Sequence, residues 1–529
     1  MRIRIELLPF DKTLRVERGT ALQDVLFAEG VEFPCGGRGR CKGCKVKVLE
    51  GWLPVTAEDR GQFTAAELEA GWRLACRGHA EGDLKIELAQ WESTILADDS
   101  PFAFTPQEGL GVAIDLGTTT VVAQLIDLGS GKVLAVRAGL NAQAQYGADI
   151  MSRIEFALAD HGRRTLQKLV REQVGRLVEE LLAAISNEAE GGGCLGGERL
   201  YKGGLKSRSK AASRALPWIK RVVLVGNTAM HHLFCGLDLK PLAQYPFEPA
   251  QPGLQTVTST ELGWELAGEP VVQFLPCLGG FVGSDILAGI LATRLHESEP
   301  LAALIDLGTN GEIVIGNRSG LLCASTAAGP AFEGARISMG MRAATGAISQ
   351  VTIEGSGVRC HVLGNGAARG LCGSGLVDAV AAGLDLGWIQ PNGRLARGEL
   401  LMVAPPVSLS QQDVRELQLA KGAIAAGLRL LLEQRGGKGK DLVRIHLSGA
   451  FGNYINHASA LRIGLLDFPV EKLRPAGNTA LLGAKLALCG PPEQDLGYPG
   501  ILAKTRHVSL NEGSRFQEVF AEEMQFPGR

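Results

Sequence analysis

Four cysteines near the start of the chain are spaced in a way that could hold a metal cluster. Cys35, Cys41 and Cys44 form a C-x5-C-x2-C loop, and Cys76 follows after 31 intervening residues. The glycines of this loop let its backbone wrap closely and aim N–H groups at bridging sulfides. Because iron–sulfur clusters are held by cysteine thiolates, the pattern favours a [2Fe–2S] centre with these four ligands.

Structural zinc is the alternative for these cysteines. Such sites normally use two C-x2-C pairs, and only Cys41 and Cys44 form one here, so zinc is the weaker interpretation. The loop resembles the adrenodoxin-like variant of the ferredoxin superfamily. That resemblance implies one-electron transfer.

Two later segments nearly repeat each other: AIDLGTTTVVAQLID at 113–127 and LIDLGTNGEIVIGN at 304–317. Each contains a carboxylate followed by a glycine turn with polar side chains. Glycine lets backbone N–H groups approach phosphate oxygens, and a carboxylate can hold Mg²⁺ or orient water. We therefore expect the two turns to face each other around a triphosphate and Mg²⁺, with Asp115 and Asp306 as catalytic residues. The expected phosphate-binding residues are Gly117, Thr118, Thr119, Gly308, Thr309 and Asn310.

Two further segments fit the same nucleotide site. VRIHLSGAFGNYI at 443–455 predicts a strand entering a turn at Gly449 and Gly452, where bare backbone could pass an adenine or ribose. Asn227, in VGNT after an apolar strand, is a candidate for lining the cleft.

The order of these turns resembles the ATPase superfamily of actin, sugar kinases and Hsp70. Together with VVLVGNTAMHHLF (222–234), GPAFEGARISMGM (329–341) and LCGSGLVDAV (371–380), nearly the whole chain resembles the reductive activators of corrinoid proteins. The resemblance implies ATP-dependent reduction of cobalt(II) to cobalt(I) on a partner corrinoid protein, with electrons from a low-potential donor.

The elements that must position these residues predict an α/β protein of more than one unit. Strand and helix patterns over 1–90 suggest a β-grasp, ferredoxin-like domain, and 91–109 reads as a linker. Residues 110–529 are expected to form a two-lobed, actin-like (ribonuclease-H-like) ATPase domain, with lobes at about 110–300 and 301–529. The glycine-rich and basic stretch at about 188–214 predicts a mobile insertion.

Composition narrows the class of protein. The formal net charge of −2 gives no global field for nucleic acid or an anionic membrane. The N-terminus alternates polar and apolar residues instead of forming a signal peptide, and the most apolar window is interrupted by Asp285. We therefore expect a cytoplasmic protein with no nucleic-acid or membrane partner.

Two other functions stay open at this point. The chain could be a small-molecule kinase of actin-like fold with a regulatory cluster, or a ferredoxin-fused ATPase that activates another low-potential metalloenzyme. The sequence leaves open the identity of the electron donor and the oligomeric state, a homodimer included.

Overall fold

A computed structural model describes most of the chain. The described residues are 2–8, 12–27, 39, 44–88, 104–147, 149–159, 161–190, 218–308, 310–490, 498–510 and 514–528. Cys35, Cys41 and Thr309 lie outside them, as do most of the expected linker and most of the expected insertion.

The N-terminal unit (residues 2–88) is a small twisted sheet with short helices. Alternating burial along the first strand turns Ile3, Ile5 and Leu7 into the core. The sheet order is β2-β1-β7-β4-β5, and β1 runs parallel to β7, as in the expected β-grasp. The elements are β1 (Arg2–Leu8), β2 (Lys12–Glu17), β3 (Thr20–Ala21), α1 (Leu22–Phe27), β4 (Lys45–Glu50), α2 (Ala57–Gln62), α3 (Ala65–Glu69), β5 (Trp72–Leu74), β6 (His79–Ala80) and β7 (Leu84–Leu88).

The first lobe follows as a six-stranded sheet ordered β10-β9-β8-β11-β13-β12. Its central strands β8 and β11 are buried along most of their length, which explains their nearly continuous apolar sequences. The elements are β8 (Leu110–Leu116), β9 (Thr120–Asp127), β10 (Val133–Leu140), α4 (Ile150–Leu158), α5 (Gly162–Glu190), β11 (Ile219–Val225), α6 (Thr228–Cys235), α7 (Lys240–Ala243), β12 (Gln255–Thr258), β13 (Val271–Phe274) and α8 (Ser284–Thr293).

The second lobe repeats this plan in a sheet ordered β23-β22-β14-β15-β16-β24, with smaller sheets added. Its elements are β14 (Ala302–Leu307), β15 (Gly311–Asn317), β16 (Gly320–Thr326), β17 (Ala347–Glu354), β18 (Gly357–Val362), β19 (Gly370–Leu371), α9 (Gly373–Asp385), β20 (Leu400–Ala404), β21 (Val407–Ser410), α10 (Gln411–Arg435), β22 (Arg444–Ser448), α11 (Gly449–Tyr454), α12 (His457–Arg462), β23 (Leu473–Pro475), α13 (Thr479–Cys489), α14 (Tyr498–Lys504), β24 (Thr505–His507) and α15 (Ser514–Glu523).

Matching registers relate the two lobes. In the first, β8 pairs antiparallel with β9 and parallel with β11, which sets Asp115 beside Val225. In the second, β14 pairs in the same way with β15 and β22, which sets Asp306 beside Ser448. The two Asp–Gly hairpins therefore occupy equivalent places in the two sheets.

One apolar core joins the lobes. Helices α8 and α13 pack against each other between the two sheets, and residues of both sheets share their core. Helix α13 comes late in the chain but covers β8 and β11 of the first lobe, and the Arg221 guanidinium of β11 donates to the Ala487 carbonyl at 3.0 Å. Among the helices of the described part of the chain, none combines the length and apolarity that a bilayer crossing requires.

Candidate functional site

A cleft between the two lobes encloses about 220 Å³. Both hairpin turns identified from the sequence line this cleft. The start of α8 and the loop before α13 line it as well. The polar residues and glycines that line it are Asp115, Gly117, Thr118, Thr119, Thr120, Asn227, Asp285, Asp306, Gly308, Asn310, Glu312, Glu333, Gly449 and Asn478.

The first turn, between β8 and β9, is fixed by hydrogen bonds on both of its sides. The Gly117 N–H donates to the Thr120 carbonyl at 3.0 Å, and a side chain at Gly117 would lie 2.7 Å from that oxygen. Asn141 holds the turn from outside, since its side-chain amide donates to the Gly117 carbonyl and its N–H to the Thr119 carbonyl, both at 2.8 Å. The buried Arg153 guanidinium donates to the Thr118 carbonyl. The turn is therefore held rigidly before any ligand arrives.

Asn227 links this turn to the neighbouring strand. It is the N-cap of α6, where its side-chain oxygen accepts from the Met230 N–H at 3.0 Å. Its amide nitrogen donates to the Thr118 hydroxyl at 2.8 Å. The side chain predicted to line the cleft does so, and it also orients a hydroxyl there.

The second turn, between β14 and β15, has a different support. The Ser448 hydroxyl at the end of β22 donates to the Asp306 carboxylate at 2.7 Å. Gly449 follows with φ +82°, and a Cβ there would lie 2.8 Å from an Asp306 oxygen and 2.7 Å from the Leu307 carbonyl. Only glycine allows this close approach of backbone and carboxylate.

Five carboxylates line the cleft: the sequence predicted Asp115 and Asp306 and missed Asp285, Glu312 and Glu333. Burial raises the pKa of Asp115 to about 6, and repulsion from Asp306 adds to the effect while the Asn478 amide, 2.9 Å away, opposes it. Burial, followed by repulsion from Asp306 and Asp115, raises the pKa of Asp285 to about 7. Burial also raises the pKa of Asp306, which the Ser448 hydroxyl partly offsets, and it raises that of Glu312 well above its usual range. The cleft therefore concentrates negative charge that calls for a cation.

Two of the missed carboxylates, Asp285 and Glu312, had signals in the sequence. Asp285 follows Gly283 and Ser284 where an apolar segment passes into α8, and Glu312 interrupts the apolar strand β15. A charged residue in an apolar run is seldom buried without a partner, which could have identified both. Asn478 had no comparable signal, because it reaches Asp115 from a position 363 residues further along the chain.

One predicted site residue lies elsewhere. Gly452 belongs to helix α11 instead of a turn, and it is absent from the residues that line the cleft. The sequence HLSGAFGNY enters the helix at Gly449, so only the first of the two glycines faces the carboxylates. Its role in passing an adenine or ribose stays a prediction.

The two described cysteines of the N-terminal cluster lie on neighbouring backbone segments. Cys44 is buried directly before β4, and Cys76 lies in the single 3-10 turn after β5. The Ala75 N–H donates to the Cys44 carbonyl at 3.1 Å, which holds the segments together. Two cysteines 32 positions apart in sequence thereby lie on adjacent backbone segments, an arrangement that ligands of one cluster require.

Comparisons with known proteins cover all three units. Residues 5–81 match the 2Fe-2S iron-sulfur cluster binding domain, residues 110–191 and 205–298 the RACo middle region, and residues 301–529 the C-terminal domain of RACo, the ASKHA domain.

Relatives that match most of the chain agree with these family matches. The corrinoid activation enzyme RamQ of Eubacterium limosum is 35% identical over 78% of this chain and 69% of its own length. The [Co(II) methylated amine-specific corrinoid protein] reductase of Methanosarcina barkeri is 27% identical over 71% of this chain and 69% of its own. A solved structure described as a reductive activator for corrinoid, iron-sulfur protein superposes with a TM-score of 0.67 and 26% identity, covering 99% of this chain and 98% of that one.

Proposed function

This chain belongs to the family of reductive activators of corrinoid proteins, and we propose that it uses ATP to drive one-electron reduction of cobalt(II) to cobalt(I) in a partner corrinoid protein. The observation that carries the proposal is the presence in one chain of both required parts. These are a cleft with two facing Asp–Gly turns and a ferredoxin-type unit in which Cys44 and Cys76 are neighbours.

ATP would bind with its phosphates between the two turns. Gly117 and Gly308 line the cleft without side chains that would block phosphate oxygens, and the Asn227 amide orients the Thr118 hydroxyl that lines the same cleft. Gly449 adds a third lining position without a side chain. We propose these residues, with Thr119, Thr309 and Asn310, as the nucleotide contacts.

Mg²⁺ would neutralise the carboxylates. Within the described residues, no three of these groups form a ready-made metal site. Mg²⁺ takes one or two protein carboxylates and completes its shell with phosphate oxygens and water. Asp115 and Asp306 are the proposed metal- or water-holding groups, and the Asn478 amide and the Ser448 hydroxyl keep them in place.

The proposed ligands of the [2Fe–2S] centre are Cys35, Cys41, Cys44 and Cys76. When bound, the cluster supplies reversible one-electron transfer. The chain contributes the fold that brings Cys44 and Cys76 together.

The energetics explain why ATP is needed. Clusters of the plant ferredoxin type lie near −400 mV, and each 59 mV of uphill one-electron transfer costs tenfold in equilibrium. A cobalt centre of lower potential would stay oxidised unless nucleotide binding changed its environment or its docking.

The test is anaerobic reduction of a cobalt(II) corrinoid protein, followed by the absorbance of cobalt(I). We expect cobalt(I) with reductant, Mg²⁺ and ATP, and little with a nonhydrolysable analogue. Asp306→Asn should abolish the formation of cobalt(I). Asp127→Asn should not, because Asp127 ends strand β9 at the opposite end of the first hairpin from the cleft. Cobalt(I) formed equally well without ATP would contradict the proposal, and phosphorylation of a sugar panel would favour the kinase alternative.

A further inference from the structure

The N-terminal unit is packed against the second lobe. Its apolar core continues into Met341, Ala344, Ala347 and Cys372, all of them buried. Around this apolar contact, the Arg369 guanidinium pairs with the Glu87 carboxylate of β7. The Lys45 ammonium, one residue after Cys44, donates to the Ser338 carbonyl at 3.3 Å. The contact therefore involves the same strand end that carries a proposed cluster ligand.

The same unit also touches the first lobe. The Gln23 side-chain amide of α1 donates to the Gln145 carbonyl at 3.4 Å. Gln145 ends the short 3-10 helix that begins directly after Asn141. Asn141 is the residue that holds the first phosphate turn, through Gly117 and Thr119. The contact with the first lobe is thus one short helix away from the cleft.

On the second lobe, only a few residues separate the cleft from the surface that the N-terminal unit contacts. Glu333 lines the cleft, and the next residue, Gly334, has φ +77° with its backbone pressed against that of Met341. A Cβ at Gly334 would lie 2.5 Å from the Met341 carbonyl oxygen. Phe332 stacks on Phe451 of α11 with ring centroids 4.5 Å apart. Residues 329–347 therefore join the cleft directly to the surface on which the N-terminal unit rests.

From these contacts we infer that the N-terminal unit bridges both lobes of the nucleotide clamp, so that its docking and the closure of the cleft form one linked equilibrium. The inference rests on the proposed function only in taking ATP as the cleft's ligand. A body attached to both lobes restrains their relative movement, and a ligand that changes their separation must change the docking free energy. By reciprocity, the factor by which nucleotide changes the docking equilibrium equals the factor by which undocking changes nucleotide affinity.

The experiment breaks the bridge at both lobes and then repairs one side. Both substitutions are made together in the whole chain. Gln23→Ala removes the hydrogen bond to the first lobe, and Glu87→Lys places a second cation against the Arg369 guanidinium of the second lobe. Adding Arg369→Glu restores an ion pair with reversed polarity. The matched control is Glu354→Lys, which breaks the exposed Arg359 pair on the β17–β18 hairpin of the same lobe.

Two quantities are measured for each variant: the Kd of a nonhydrolysable ATP analogue with Mg²⁺ by calorimetry, and amide hydrogen exchange over residues 338–347. We expect the broken variant to exchange faster there and to bind the analogue at least about fivefold more weakly, because docking pre-organises the cleft. The repaired variant should return toward wild type, and the control should match wild type in both.

The possible results separate the inference from the proposed function. Faster exchange with an unchanged Kd would overturn the linkage, and unchanged exchange would overturn the docking itself. A wild-type protein that binds no analogue would refute the proposed ATP function instead.

Discussion

Replacing Asp285 by asparagine should stabilise the nucleotide-free protein at neutral and alkaline pH. In the native state the pKa of this carboxyl is raised to about 7 from an ordinary value of 3.8, because burial and the neighbouring Asp306 and Asp115 disfavour its charge. Asparagine keeps the shape and the oxygen that accepts from the Ile286 N–H at 2.9 Å, but it cannot ionise. The variant therefore removes the charge and little else.

The magnitude follows from the difference between the two pKa values. Below pH 3.8 the carboxyl is protonated in both the folded and the unfolded chain, so it costs nothing. As the pH rises toward about 7, the unfolded chain gains the charge that the folded cleft resists, and native stability falls. About 1.4 kcal/mol per pH unit gives up to about 4 kcal/mol above pH 7, and roughly half of that if water in the cleft screens the charge.

The assay is thermal unfolding in EDTA at pH 5 and pH 8. We expect Asp285→Asn to raise Tm by a few degrees at pH 8 and by much less at pH 5. Asp127→Asn is the control of opposite sign, since the Gly129 N–H lowers the pKa of Asp127, so this variant should lose a little stability at pH 8. A pH-independent effect of Asp285→Asn, or a lower Tm at pH 8, would refute the electrostatic reasoning.

Three further outcomes are expected. Cys44→Ser should reduce iron and acid-labile sulfide per chain to a small fraction of wild type while the lobes keep their ATP affinity, because oxygen is a poorer iron ligand than thiolate; two of each per chain would rule out this ligand. Asp306→Asn should lower ATP hydrolysis about a hundredfold or more with the cluster absorbance intact, and wild-type turnover would exclude a role in catalysis. Mg²⁺-dependent nucleotide affinity, measured by titration, should rise between pH 5.5 and 8, because the carboxyl of Asp115, with a pKa of about 6, must lose its proton to bind a cation, and the neighbouring carboxyl of Asp285, with a pKa of about 7, adds negative charge as it ionises. A flat profile would mean that neither group touches the metal.

Local pattern was enough to predict much of this architecture. The strand and helix patterns over residues 1–90 identified the N-terminal unit, and the duplicated Asp–Gly segments identified both hairpins at the cleft. These features are set by residues near one another in sequence. The fold class and the family resemblance were also inferred from short motifs, and both were confirmed by the comparisons.

Long-range geometry was beyond the sequence. Asn478 and Ser448 reach their carboxylates only through the packing of distant strands and helices, so no local pattern announces them. Gly452 was wrongly expected in a turn, because a glycine near a strand end is compatible with both a turn and the first turns of a helix. The bridging position of the N-terminal unit depends on Arg369 and Met341, which nothing in the sequence connects to the first 88 residues.

The late position of α13 has a consequence for synthesis on the ribosome. The sheet of the first lobe is complete at Phe274, yet the helix that covers one face of β8 and β11 begins only at Thr479, roughly 200 residues later. At about 5 to 20 residues per second, the nascent first lobe therefore waits on the order of 10 to 40 s with the apolar side chains of Ala113, Val223 and Val225 uncovered. During that interval we expect the first lobe to bind chaperones through these side chains. A chain that stops before Thr479 would lack the α13 residues that complete the core shared by both lobes.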